Sequence, residues 1–152
     1  MLVSTKGRYA LRVLVDLAEH ADGGYVPLKV IADRQNISEK YLEAVLRALV
    51  RSQIIKGIRG KGGGYMLAVP AGELTLGRVL RLTEPSLGTV SCLAEGSEKC
   101  PNAAHCRTLP MWKKLDALIL DYLDSHTVAD LMVMGDGDAL NSDGGAEKEA
   151  IR

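Results

Sequence analysis

No apolar run in the chain approaches the ~20 residues needed to cross a bilayer. The apolar residues near its start are broken by Lys6, Arg8, Arg12 and Asp16. Neither a membrane span nor a secretory signal is expected, and a cytoplasmic location is. Cysteine is scarce: three thiols in 152 residues cannot all pair within one chain, and a reducing compartment disfavours structural disulfides. All three fall between Ser91 and Thr108, so they need a role other than cross-linking. Net charge is missing as well, with 19 Lys+Arg against 19 Asp+Glu.

That balance hides a division. Residues 1–83 carry 13 Lys+Arg against 7 Asp+Glu, whereas residues 84–152 carry 6 against 12. The N-terminal half is therefore the side able to face a polyanion. The length suits one domain with an appended arm, and 47% hydrophobic residues suffice for a packed core.

Helical periodicity comes first. Ala10, Val13, Leu14, Leu17 and Ala18 share one side of a helix over Lys6–Ala21, with Arg12, Asp16 and Glu19 on the other. A second, short helix after Pro27 carries the stripe Leu28, Ile31 and Ala32, and Gln35-Asn36-Ile37 reads as a turn. Ser38 is an N-cap for a third helix, with Glu39 well placed against the helix dipole. In that helix Leu42, Val45, Leu46 and Leu49 share a face, and the opposite face gathers Lys40, Ala44, Arg47 and Arg51, flanked by Tyr41 and Glu43. Two helices joined by a tight turn, the second with a basic outer face, form a helix-turn-helix pattern.

Residues 53–59 and 65–69 are β-rich, and the five residues between them are Gly60-Lys61-Gly62-Gly63-Gly64. This tip lacks the serine or threonine and the following helix of a nucleotide-binding P-loop. It removes side chains where a backbone can approach another surface, and Arg59 and Lys61 bring cations to the same place. The fold class expected is mainly α with a small β-hairpin wing, a winged helix-turn-helix. Thr75 caps a fourth helix carrying Leu76, Val79, Leu80 and Leu82, which Pro85 stops. Residues 86–108 show no periodicity, and they hold the cysteines. After Thr108 and Pro110, a long helix with Trp112, Leu115, Ile119 and Tyr122 in a stripe, and Leu118 and Leu123 beside it, is expected to pair with its copy in a homodimer. Thr127–Met132 reads as a short closing helix. The division expected is 1–83 for DNA binding, 84–108 for the cysteine loop, 109–134 for the dimerisation and closing helices, and 135–152 as a disordered tail.

Three stretches, Ser4-Thr5-Lys6-Gly7-Arg8-Tyr9-Ala10, Ser38 with Tyr41-Leu42-Glu43, and Arg59-Gly60-Lys61-Gly62-Gly63-Gly64-Tyr65, together resemble the bacterial IscR-type winged-helix regulators, relatives of NsrR and CymR. The resemblance covers residues 1–132. It implies a dimeric transcription factor that controls genes of cluster assembly or of sulfur and iron metabolism. Its metal-binding members hold an iron–sulfur cluster, and on that resemblance Cys92, Cys100 and Cys106 are the ligands. The spacings of seven and five intervening residues are wider than those within a zinc-binding pair. Zinc, and three unligated thiols, stay open beside a 2Fe–2S or 4Fe–4S cluster. The pattern is broken at the fourth ligand: the family's histidine position holds Leu109, and the aspartate supplied by the partner chain in some nitric-oxide sensors is Arg8 here. His105, Glu95, Glu98, a group from the other chain or a small thiol are the candidates.

For DNA, Ser38 starts the reading helix, Lys40, Tyr41 and Glu43 are expected at base edges, and Arg47 and Lys61 on phosphates. Arg59 enters the minor groove, with Gly60 beside it letting the backbone approach. Glu43 pairs either with a cytosine amino group or simply with Arg47. The partner expected is a pseudo-palindromic duplex, and the signal iron, oxygen or nitric oxide. The alternatives are a metal-independent regulator of CymR kind answering to a protein partner, one with a structural zinc, and a cysteine-dependent enzyme. No enzyme is expected, since no motif supplies a general base and the cysteines' charged neighbours include Glu95 and Glu98.

Overall fold

The computed structural model describes residues 3–134. The expected disordered tail, 135–152, lies outside the described residues. Side-chain oxygens mark where helices begin. Ser4 Oγ accepts from the Gly7 N–H at 3.0 Å and starts α1 (Thr5–Glu19). Pro27 precedes α2 (Leu28–Gln35), which ends on Asn36 in the left-handed region at φ 52°. Ser38 Oγ accepts from the Tyr41 N–H at 3.3 Å and opens α3 (Glu39–Arg51). A hairpin of β1 (Ile55–Ile58) and β2 (Gly64–Leu67) follows, antiparallel with Ile55 opposite Leu67 and Ile58 opposite Gly64. Thr75 Oγ1 accepts from the Arg78 N–H and starts α4 (Leu76–Thr83). After the cysteine loop come α5 (Leu109–Ser125) and α6 (Val128–Met134).

The apolar stripes converge on one core. Ala10, Val13, Leu14 and Leu17 of α1 meet Ile31 of α2, Leu42, Val45, Leu46 and Leu49 of α3, Val79 of α4 and Val128 of α6, all buried. Each leucine or isoleucine so buried contributes roughly 1.5–3 kcal/mol by leaving water. The polar face of α3 is thereby forced outward. The hairpin is joined to the body by a further antiparallel bridge, in which Val26 N donates to the Tyr65 carbonyl and Tyr65 N to the Val26 carbonyl, both at 2.8 Å. The fold is the winged helix-turn-helix expected.

Two expectations are corrected. Asp16 does not sit on a solvated helix face. It is buried, taking bonds from Arg34 Nε at 2.9 Å and Nη2 at 2.7 Å and from Gln35 Nε2 at 3.0 Å. The carboxylate tolerates burial because α2 supplies a two-pronged cation to it, and it holds the Arg34 guanidinium above its ordinary pKa. The cysteine segment is also not wholly irregular, for single 3-10 turns form at Ser91–Leu93 and Ala103–His105. α6 packs on α1 and is pinned by backbone bonds on either side of its start, Leu76 N to the His126 carbonyl and Val128 N to the Leu74 carbonyl, both 2.9 Å.

Candidate nucleic-acid interface and cysteine loop

Burial of its apolar side leaves α3 with Ser38, Lys40, Tyr41, Glu43 and Arg47 exposed along its outer face. The hairpin brings Arg59 to the same side, and Gly60 and Lys61, also exposed, follow it in the tip. A cleft between the two elements is lined by Glu43, Arg47, Val50, Ile58, Arg59 and Tyr65. The eight residues that the sequence assigned to DNA therefore lie on two adjoining elements. Arg47 Nη2 donates to Glu43 Oε1 at 3.4 Å, and both side chains are more than half exposed, so the pair costs little to exchange for a nucleic-acid partner.

The wing tip is a tight turn in which Gly63 N donates to the Gly60 carbonyl at 2.9 Å. Gly62 there has φ 77°, a conformation that strains any residue with a side chain. Gly64 has a different reason. Its Cα faces the backbone of Val26 and Pro27, and a Cβ placed there would lie 2.8 Å from the Pro27 nitrogen and closer still to the Val26 carbonyl group. The glycine-rich tip thus combines turn geometry with a close backbone crossing that docks the wing.

Cys92, Cys100 and Cys106 are all free thiols and all half-buried. Cys92 lies in the first 3-10 turn, the Cys100 carbonyl accepts from Ala103 N at 3.0 Å, and Cys106 follows the second turn. The loop is pinned at its base. Ser86 Oγ accepts from Gly88 N at 3.0 Å and Glu95 N at 3.3 Å, and Thr89 N donates to Asp116 Oδ1 of α5 at 2.8 Å. Glu84, just before it, accepts from Ser4 Oγ at 2.7 Å and from the Ser4 N–H. The Thr108 hydroxyl, 3.4 Å from Cys106 Sγ, and then the Thr108 backbone hold that thiol below its ordinary pKa, against the opposing effect of burial and with a smaller contribution from the Leu109 backbone. The donor chemistry suits a thiolate-bound centre, since the thiolate is the ligating form. In the single chain no three Cys, His, Asp or Glu among the described residues come together as a metal-binding group. His105, Glu95 and Glu98 are exposed, and Leu109 is half-buried.

α5 has no buried residue along its 17 positions. Trp112, Ile119 and Leu123 are half-buried, whereas Met111, Leu115, Leu118 and Tyr122 are exposed. These four recur at intervals of 4, 3 and 4, so they form one continuous apolar stripe. The free stripe is rotated from the one expected, with Trp112 and Ile119 half-buried and Met111 and Leu118 in the open. Sequence reasoning also missed the part α1 takes beside α3, where Tyr9 touches Tyr41. No periodic signal marks that contact.

A family model described as Rrf2, iron-dependent transcriptional regulator, matches residues 3–134. The chain is 36% identical over 133 residues to the HTH-type transcriptional regulator IscR of Aliivibrio salmonicida, covering 88% of this chain and 78% of that protein. The IscR of Pectobacterium atrosepticum is likewise 36% identical over 132 residues, covering 87% and 79%. Among solved structures, CymR, the global cysteine regulator of B. subtilis, superposes with a TM-score of 0.73 at 33% identity, covering 88% of this chain and 98% of that one. The IscR of T. potens does so at 0.70 and 36%, covering 89% and 88%. Among the described residues no helix is long and apolar enough to cross a membrane.

Proposed function

The chain belongs to the Rrf2 family of transcriptional regulators, and on that premise we propose that it is a homodimeric factor that reads a pseudo-palindromic operator and answers iron–sulfur cluster status. The observation that carries the DNA reading is the exposed row Lys40, Tyr41, Glu43 and Arg47 on α3, beside the cationic wing tip. α3 enters the major groove with its first turn at base edges, and Glu43 turns from Arg47 to a cytosine amino group. Arg59 enters the minor groove with Gly60 beside it, and Lys61 and Arg47 neutralise phosphates. Arg59→Ala is expected to weaken binding and to flatten the log–log salt dependence by about 0.9 per subunit. An unchanged slope in a fluorescence-anisotropy titration removes Arg59 from the interface.

Cys92, Cys100 and Cys106 are the residues that would hold the cluster, with the fourth ligand from His105, Glu95, Glu98, the partner chain or a small thiol. When bound, a cluster supplies a centre sensitive to iron, oxygen or nitric oxide. The chain's own part is mechanical: the loop is tied to α5 through Asp116 and to the start of α1 through Glu84, which accepts from Ser4, so a change in the loop is felt by α5 and α1 together. Purification without oxygen, with a visible spectrum and assays of iron, sulfide and zinc, tests this reading. A colourless protein devoid of iron and sulfide overturns it and leaves the DNA reading standing.

A second reading is supported by the likeness to CymR. It is a regulator that binds the same kind of operator without a metal. Alanine at all three cysteines then leaves regulation intact, whereas the first reading has it abolished.

A further inference from the structure

Tyr41 stands in the first turn of α3 and is 39% exposed. A base contact made by a freely turning ring carries the entropy of ordering it, which weakens the contact and blurs its geometry. Here the ring is held from outside the helix-turn-helix. Tyr9 of α1 meets it edge to face, with centroids 5.6 Å apart and planes at 89°. Arg12, three residues further along α1, lays its guanidinium over the Tyr9 ring with Cζ 5.2 Å from the centroid.

Arg12 is itself fixed by the last residue of α2. Its Nε donates to Gln35 Oε1 at 3.2 Å and its Nη2 to the Gln35 carbonyl. Gln35 Nε2 then donates to Asp16, the buried carboxylate that Arg34 grips with two bonds. Tyr9, Arg12 and Asp16 follow at three and four residues, so they share one side of α1. A continuous train of contacts runs from a buried charge, through two helices, to an exposed ring on a third. Arg12 has no acidic partner among the described residues. Its orientation is therefore set by the ring and the two Gln35 oxygens.

We infer that Tyr9 and Arg12 are specificity-determining positioning residues, which hold Tyr41 in the orientation that reads the operator without touching a base themselves. The inference rests on the reading above that Tyr41 reaches base edges. It assigns sequence discrimination to α1, a helix whose other evident work is to build the core. A merely structural role predicts something different, namely lower melting temperature with equal affinity loss on every sequence. A phosphate contact by Arg12 predicts a change of salt slope and rescue by lysine.

The test uses the full-length protein and duplexes that the wild type selects from a random-sequence pool, each base pair then substituted in turn. Tyr9→Leu and Arg12→Lys are expected to lower affinity for the selected duplex by about 2- to 12-fold, the cost of ordering one side chain. Discrimination should be lost at the base pairs where Tyr41→Ala loses it, with the salt slope and random-sequence affinity unchanged. Tyr9→Phe should retain discrimination, and Tyr9→Leu combined with Tyr41→Ala should be no worse than Tyr41→Ala alone. Arg12→Lys lies on the surface and keeps the test sound should Tyr9→Leu fold poorly. If Tyr41→Ala erases a base preference that both α1 variants keep, the positioning role falls alone. If Tyr41→Ala leaves every preference intact, the base-reading assignment falls and takes this inference with it.

Discussion

Two glycines of the wing tip show how differently the same residue type can be required. Gly62 has open space around it, so an added methyl group meets nothing and the cost is only that of its positive φ. Gly64 faces the main chain of Val26 and Pro27, which the antiparallel bridge to Tyr65 prevents from moving away. Gly62→Ala is therefore expected to cost about 1 kcal/mol, and Gly64→Ala about 2–3 kcal/mol with loss of the wing's attachment. Urea denaturation of the two variants checks this, and equal costs would contradict the crossing. The sequence shows the glycines and their number, and the turn is legible from them. Which glycine lies against another segment is not, because that partner is 38 residues upstream. Asp16 teaches the same lesson. Helical spacing placed it on a polar face, and only the arrival of Arg34 and Gln35 from α2 makes that face an interior one.

Among elements, the helices and hairpin were legible because each carries its own period, cap or turn. Ser38 and Thr75 cap where hydroxyls were expected to cap. The side of α5 left free was not legible, because it depends on which side α4 covers. That contact has an unusual anchor. Arg81 of α4 grips Asp124 of α5 with two parallel bonds of 2.6 and 2.8 Å, lying over Gly77. The Arg81 guanidinium holds the Asp124 carboxyl below its usual range. Both side chains are over a third exposed, so solvent screening limits the pair to about 0.5 kcal/mol. Because the folded-state pKa is the lower one, this coupling is present above the unfolded value of about 3.9 and disappears as pH falls through the folded value. A double-mutant cycle of Arg81→Ala and Asp124→Ala, followed by thermal melting at pH 7 and at pH 2, measures it. In a Gly77→Ala background the coupling should vanish even at pH 7. The new methyl group takes the space of the Asp124 carboxylate, while alanine's better helix propensity keeps overall stability nearly level.

For the whole molecule, the decisive feature is an apolar stripe on α5 that the described residues leave exposed. Met111, Leu115 and Leu118 take no part in the core among the described residues, and Tyr122, although its ring stacks on His126, is still exposed. In the homodimer proposed above, two copies related by a two-fold axis would bring the same stripe against itself, and whatever is placed on it would appear twice. Leu118 is 56% exposed in the single chain, so a glutamate there costs the fold little, within about 0.5 kcal/mol. In the proposed dimer it would bring two carboxylates into an apolar seam. The expected result for Leu118→Glu is a folded monomer by analytical ultracentrifugation with an unchanged melting profile at high dilution. Operator binding should then divide by geometry. A palindromic duplex whose half-sites lie about 34 Å apart engages both reading helices of a dimer. The two contacts act at an effective concentration in the millimolar range, which the monomer forfeits. Affinity for the full palindrome is expected to fall by at least about 100-fold while affinity for an isolated half-site stays as it was. If Leu118→Glu remains dimeric, or loses half-site binding as well, α5 is not the surface that joins two reading heads.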